Sequence, residues 1–136
     1  KRHDKLALVH IDLIAGLSNK EIAVDFIKKC TSADGIISTK QQLVKRAKEL
    51  NLYTVFRFFA IDSMAYENIS RQLGAVRSDF VEILPGMAPK VIKNIAASIS
   101  VPVIAGGLIA EKEDVIAILS SGATSISTTN QKLWFI

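Results

Sequence analysis

Two short segments in the last third of the chain carry residue types suited to holding an anion. Ala105-Gly106-Gly107-Leu108-Ile109 contains adjacent glycines, and Ser127-Thr128-Thr129-Asn130 is rich in hydroxyls. Glycines let backbone N–H groups approach phosphate oxygens closely, and hydroxyls donate to the same oxygens. A lone Gly-Gly is equally the mark of a tight turn. The second segment, one repeat further along, is what points to phosphate. Glu82 lies inside the apolar run Phe80-Val81-Glu82-Ile83-Leu84. Burying a carboxylate there without partners is costly, so it needs a donor. The donor is a ligand hydroxyl, or a cation such as Arg57 or Lys40, or else Glu82 is catalytic. His10 and Asp12, two residues apart, would share one face of a strand and could orient hydroxyls or exchange protons. As a metal site they supply only two ligands, and no metal or catalytic residue is assigned. No Gly-x-Ser-x-Gly, His-Glu-x-x-His or P-loop pattern occurs.

These residues sit on a repeating frame. Apolar runs at Leu6 to Ile11, Gly35 to Ser38, Tyr53 to Phe58, Phe80 to Leu84, Pro102 to Ala105 and Ser125 to Thr128 read as strands, starting about 24 residues apart. Between them lie segments of helical period. The first is capped by Ser18 or Asn19 and runs to about Lys29, and the second covers Gln41 to Leu50. The third is opened by Asp62 or Ser63 and ends near Gly74. The fourth follows Pro89, and the fifth begins near Glu111 and Glu113 and stops at Gly122. Six βα repeats imply a parallel sheet with right-handed crossovers. Along the strands Leu6, Leu8, His10 and Asp12 share a face, as do Tyr53, Val55 and Arg57, so that face turns polar toward its C-terminal end. Ser38 with Lys40, Glu82, and the stretch from Ser127 to Asn130 repeat the pattern. Convergence of polar groups at the carboxyl ends of many strands favours a (β/α)8 TIM-type barrel over an open sheet. Six units do not close a barrel of eight, so the expectation is that the first two units lie upstream of Lys1.

Composition sets the outer limits. The chain has 136 residues, 49% of them hydrophobic and 22% charged, enough for one domain with a large core and too apolar for disorder. One cysteine, Cys30, excludes an internal disulfide or a multi-cysteine zinc site and suits a reducing cytosol. No apolar stretch approaches the roughly 20 residues that span a bilayer. The net charge is +4, and the excess lies in residues 1–57, with 11 Lys and Arg against 6 Asp and Glu. That bias permits an anionic partner such as RNA, although a solvated helix face produces the same count.

Five segments, taken in order, resemble the glycerol-3-phosphate-responsive antiterminator family over essentially the whole chain. They are His10-Ile11-Asp12-Leu13-Ile14 with Gly16-Leu17, Gly35-Ile36-Ile37-Ser38-Thr39, Glu82-Ile83-Leu84-Pro85-Gly86 with Pro89, Ala105-Gly106-Gly107-Leu108-Ile109, and Ser127-Thr128-Thr129-Asn130 with Leu133-Trp134. The resemblance implies that 1–136 forms one antiterminator domain, three quarters of a barrel. It further implies a cytoplasmic regulator of glycerol metabolism, not an enzyme and without a cofactor. Such a regulator, bound to glycerol 3-phosphate, acts on the leader mRNA of glycerol operons and lets transcription pass a terminator. Carried over, Gly106, Gly107, Thr128, Thr129 and Asn130 would hold the phosphate, while His10, Asp12, Glu82 and Gly86 would meet the glycerol. Lys40, Lys45, Arg46 and Lys48, near Lys28 and Lys29, are the candidate RNA surface. A homo-oligomer is compatible with this picture, and a membrane partner is not expected. The alternative is a phosphate-barrel enzyme, a prenyltransferase or isomerase, since such barrels share the loops after the final strands.

Overall fold

A computed structural model describes residues 3–136. Each apolar run pairs with the next to give six parallel strands in the order of the sequence: β1 (Leu8–His10), β2 (Gly35–Ser38), β3 (Tyr53–Phe59), β4 (Phe80–Leu84), β5 (Val103–Gly106) and β6 (Ser125–Ser127). Helices α1 (Glu21–Cys30), α2 (Gln41–Glu49), α3 (Met64–Ala75), α4 (Pro89–Ser98) and α5 (Lys112–Ser120) provide the crossovers. The sheet curls into a half-barrel, a partial TIM-type fold.

Register sorts the side chains into two faces, because partners on neighbouring parallel strands point the same way. Ile36 lies beside Thr54, Phe56 beside Val81, Phe58 beside Ile83, and Ile83 beside Ala105. All are buried, and they pack under the helices with Val44, Ile69, Ile92, Ile95 and Ile118. The Phe56 and Phe58 rings pack against each other in this layer, tilted by 42° with centroids 4.4 Å apart. The other face, the concave one, carries Ile37 beside Val55, Arg57 beside Glu82, and Glu82 beside Ile104. The candidate site residues Arg57 and Glu82 lie on this face, and Gly107, Thr128, Thr129 and Asn130 in the loops at its C-terminal end.

Several local expectations change. β1 ends at His10, and Ile11–Leu13 form a 3-10 turn, so Asp12 is not on a strand and does not share a strand face with His10. The cause is tertiary: the Asp12 carboxylate is captured by the next strand end. Ser38 is buried on the helix side, beside Phe56, and is not part of the polar inner face. Helix α1 starts at Glu21 with Lys20 at its cap and no side-chain cap bond, so neither Ser18 nor Asn19 caps it. Asp62 does serve α3, accepting from the Ala65 N–H at 3.0 Å. Gly122, at φ +108°, ends α5 as expected.

At the opposite, N-terminal end of the sheet one carboxylate ties three elements. Asp79 accepts from the Thr54 N–H and hydroxyl, both at 2.9 Å, and from the Lys48 ammonium at 2.7 Å. Burial opposes its ionisation, but the Lys48 and Thr54 bonds outweigh it and hold the carboxyl below its ordinary range.

Candidate functional site

The C-terminal ends of β3 to β6 and the loops that follow enclose a cleft of about 640 Å³, lined by Arg57, Glu82, Leu84, residues 107–110 and residues 127–130. Its floor is an ion pair. Arg57 Nε donates to Glu82 Oε2 at 2.6 Å, and Glu82 is only 2% exposed. Of the partners open to Glu82 in the sequence, Arg57 is the one it takes. Glu82 Oε1 has no hydrogen-bond donor among the described residues, nor do the Arg57 Nη groups have an acceptor.

Gly106 exists to make room for that carboxylate. A Cβ there would lie 2.7 Å from Glu82 Oε1. Gly86 is a packing residue, since a Cβ on it would meet the Gly106 nitrogen at 2.6 Å, and its own N–H donates to the Gly106 carbonyl. Gly107 at φ +82° and Leu108 at φ +60° turn the chain over the cleft. The backbone N–H groups of Leu108, Ile109 and Thr129 have no acceptor among the described residues. Clustered free N–H groups on a turning backbone form an anion-binding concavity.

The side chains of the last loop do a different job from the one their types suggest. Thr128 Oγ1 donates to the Ile109 carbonyl at 3.1 Å and accepts from the Asn130 N–H. Asn130 Nδ2 donates to the Ala110 carbonyl at 2.9 Å, while its Oδ1 accepts from the Lys132 N–H. Trp134 Nε1 donates to the Thr128 carbonyl at 3.0 Å. Thr128 and Asn130 therefore lash the two loops together, so that the Leu108, Ile109 and Thr129 N–H groups and the Thr129 hydroxyl are the ones left without a partner among the described residues.

Asp12 is also occupied. It accepts from Ser38 Oγ at 2.6 Å, the Thr39 N–H at 2.8 Å and Thr39 Oγ1 at 2.7 Å, joining the end of β1 to that of β2. Burial would raise its pKa, yet the Ser38 and Thr39 bonds prevail and lower it. His10 differs: both ring nitrogens are buried without a partner. Its pKa is lowered, first by burial and then by the Arg57 charge, which outweigh the opposing Asp12 and Glu82.

Two of the four basic candidates are held in ion pairs. Arg46 grips Asp25 through Nε at 3.1 Å and Nη2 at 2.7 Å and also pairs with Glu49, while Lys48 is held by Asp79 at the far end of the sheet. Lys40 and Lys45 have no carboxylate partner among the described residues. Among those residues no group of three or more His, Cys, Asp or Glu could hold a metal, and no helix is long and apolar enough to cross a membrane.

The sequence model of one family, described as glycerol-3-phosphate responsive antiterminator, matches residues 1–134. The chain belongs to that family. It is 41% identical over 134 residues to the uncharacterized protein YgcP of Escherichia coli K12, covering 98% of this chain and 70% of that protein. Among solved structures it superposes on the glycerol uptake operon antiterminator regulatory protein of Listeria monocytogenes 4b F2365 with a TM-score of 0.91. The two are 38% identical, over 96% of this chain and 70% of the other. A glycerol uptake operon antiterminator-related protein of Thermotoga maritima MSB8 gives 0.88 at 36% identity, over 99% and 76%. Membership supports a regulator of glycerol operons, and the cleft described above lies among the segments that carried the resemblance.

Proposed function

We propose that the protein binds glycerol 3-phosphate in the cleft and, so loaded, acts in the cytoplasm on the leader mRNA of glycerol operons to let transcription pass a terminator. One observation carries the ligand reading. Three free N–H groups, suited to a phosphate, border the same cleft as a buried carboxylate with an unoccupied oxygen, suited to a hydroxyl. Glu82 Oε1 lies against Gly106 and the free N–H groups start at Leu108, two residues on, so the ligand is short: a phosphate ester with a hydroxyl close to the ester carbon. The turn at Gly107 presents the Leu108 and Ile109 N–H groups to the phosphate together with Thr129, Gly106 leaves room for Glu82 beside the ligand's hydroxyl, and Thr128 and Asn130 keep the cradle in shape. His10, with its unpartnered ring on β1, is the further polar group available to the glycerol. The ligand can favour the RNA-binding state only through its different affinity for the two states, and loops tied across β5 and β6 are the element it would order.

A thermal-shift panel of phosphate esters tests the ligand. At 100 times its dissociation constant a ligand stabilises by about 2.7 kcal/mol, a readily measured shift. No shift with glycerol 3-phosphate, together with a clear one for another ester, redirects the assignment. Retention of leader RNA only with ligand, and without turnover, supports regulation, whereas turnover of the ester supports an enzyme. For the RNA surface, charge reversal at Lys40 and Lys45 reduces retention and its salt dependence. Unchanged retention moves the surface elsewhere.

A further inference from the structure

We infer that the Arg57–Glu82 pair is a specificity device that reads the ligand's hydroxyl as a hydrogen-bond donor, so that the site selects alcohol phosphates and rejects the corresponding ketone. The inference rests on the ligand reading above and deepens it. Arg57 was legible in the sequence only as a cation near a carboxylate, and the structure shows how the pair divides its atoms. Nε and Oε2 are spent on each other at 2.6 Å. Oε1, an acceptor, and the Nη groups, donors, are left over, and both residues line the cleft.

A hydroxyl satisfies both leftovers at once, donating to Oε1 and accepting from an Nη. A carbonyl oxygen can only accept, so beside Oε1 it meets an anionic acceptor with no proton between them. Geometry restricts where that hydroxyl sits on the ligand. Oε1 is crowded against Gly106, and the free N–H series begins two residues on, at Leu108. With phosphate on that series, the carbon nearest Oε1 is the one next to the ester carbon, the C2 position of glycerol 3-phosphate. The ion pair also fixes the carboxylate. Glu82 is buried, and with Arg57 on one oxygen and Gly106 beside the other it cannot rotate to follow a different ligand. A site whose polar groups are preset in this way loses affinity for an analogue that leaves them unpaired.

Calorimetric titration of the full chain with three esters tests this. Glycerol 3-phosphate has the C2 hydroxyl, 3-hydroxypropyl phosphate lacks it, and dihydroxyacetone phosphate carries a carbonyl there. Both analogues are expected to bind roughly ten- to a hundredfold more weakly, as for the loss of one hydrogen bond to a charged group. Glu82→Gln, whose amide can present either a donor or an acceptor, is expected to bring the alcohol-to-ketone ratio close to one while phosphate affinity persists. Arg57→Lys, which keeps the charge but loses the fork, is the second variant should the first fail to fold, with the same expected collapse. If 3-hydroxypropyl phosphate or the ketone binds as tightly as glycerol 3-phosphate, the inference is overturned while the ligand reading stands. If none of the three esters binds, the ligand reading itself falls and takes the inference with it.

Discussion

Adding one methyl group at Gly106 is the sharpest probe of how the site is built. In Gly106→Ala the new carbon would lie 2.7 Å from Glu82 Oε1 and 3.3 Å from Ser127 Cβ. Alanine has no difficulty with an extended backbone, and replacing glycine normally stabilises by about 0.4–1 kcal/mol through the unfolded chain. Here the contact opposes it. Glu82 is 2% exposed and held at 2.6 Å by Arg57, so it yields only by weakening that bond. A hydrogen bond between charged groups contributes about 1.5–3 kcal/mol, and a buried carboxylate stripped of its partner costs about 3–5 kcal/mol, an upper limit for a displacement that only stretches the pair. Allowing for the glycine gain, the variant is expected to be less stable by about 1–2.5 kcal/mol, or roughly 4 °C in Tm per kcal/mol for a chain of this size. Urea unfolding of four proteins isolates the cause: the parent, Gly106→Ala, Glu82→Ala and the double variant. If the methyl acts through Glu82, it costs less than about 0.5 kcal/mol once that carboxylate is gone. A neutral or stabilising Gly106→Ala in the parent, or an undiminished cost in the Glu82→Ala background, would refute the account of Gly106 as the space reserved for Oε1.

Three other outcomes are expected. Asp12 and Asp79 both have folded-state pKa values below the ordinary 3.8, so their stabilisation is complete above that value and is lost as pH falls through it toward the folded values. Urea midpoints at pH 6 and pH 3 should differ less in an Asp12→Asn/Asp79→Asn variant, and an unchanged difference counts against the two clamps. His10 has a folded pKa below 6.5, so it favours the fold above pH 6.5 and that contribution declines as pH drops through it. Its NMR titration should move upward in Arg57→Gln, and no movement would show that the guanidinium charge does not reach the ring. Trp134, the one tryptophan, donates to the Thr128 carbonyl, so its fluorescence should change when a phosphate ester fills the cleft. Trp134→Phe is expected to weaken binding several-fold by freeing the loop, for loss of one neutral hydrogen bond of about 1 kcal/mol.

The strands that were easiest to read are those whose turns are written in the local sequence. β2 and β4 have the expected bounds, Gly35–Ser38 and Phe80–Leu84, because each is a compact apolar run between polar or turn-forming neighbours. β1, Leu8–His10, is shorter than its sequence run. Its polar end looks like a strand continuing through Asp12, but the chain leaves the sheet there because Ser38 and Thr39, more than twenty-five residues on, take that carboxylate. Ser38 lies on the opposite face from the one its neighbours suggest, for a related reason. In a four-residue strand only the partner's register decides the side, and β3 puts Ser38 beside Phe56.

The residue types by themselves determined the repeating βα frame, the family and the strand ends where polar groups gather, since periodicity, turn residues and motif order are local properties. The division of labour within the site was decided only by tertiary structure. Whether Glu82 pairs with Arg57 or with another cation depends on β3 and β4 being neighbours in register. That Thr128 and Asn130 lash loops while backbone N–H groups stay free depends on the carbonyls of Ile109 and Ala110 coming within reach. Arg46 and Lys48, which read as open cations, are consumed by Asp25 and Asp79 from other elements. A hydrogen-bonding group shows its type in the sequence, but the partner that satisfies it is brought there by the fold.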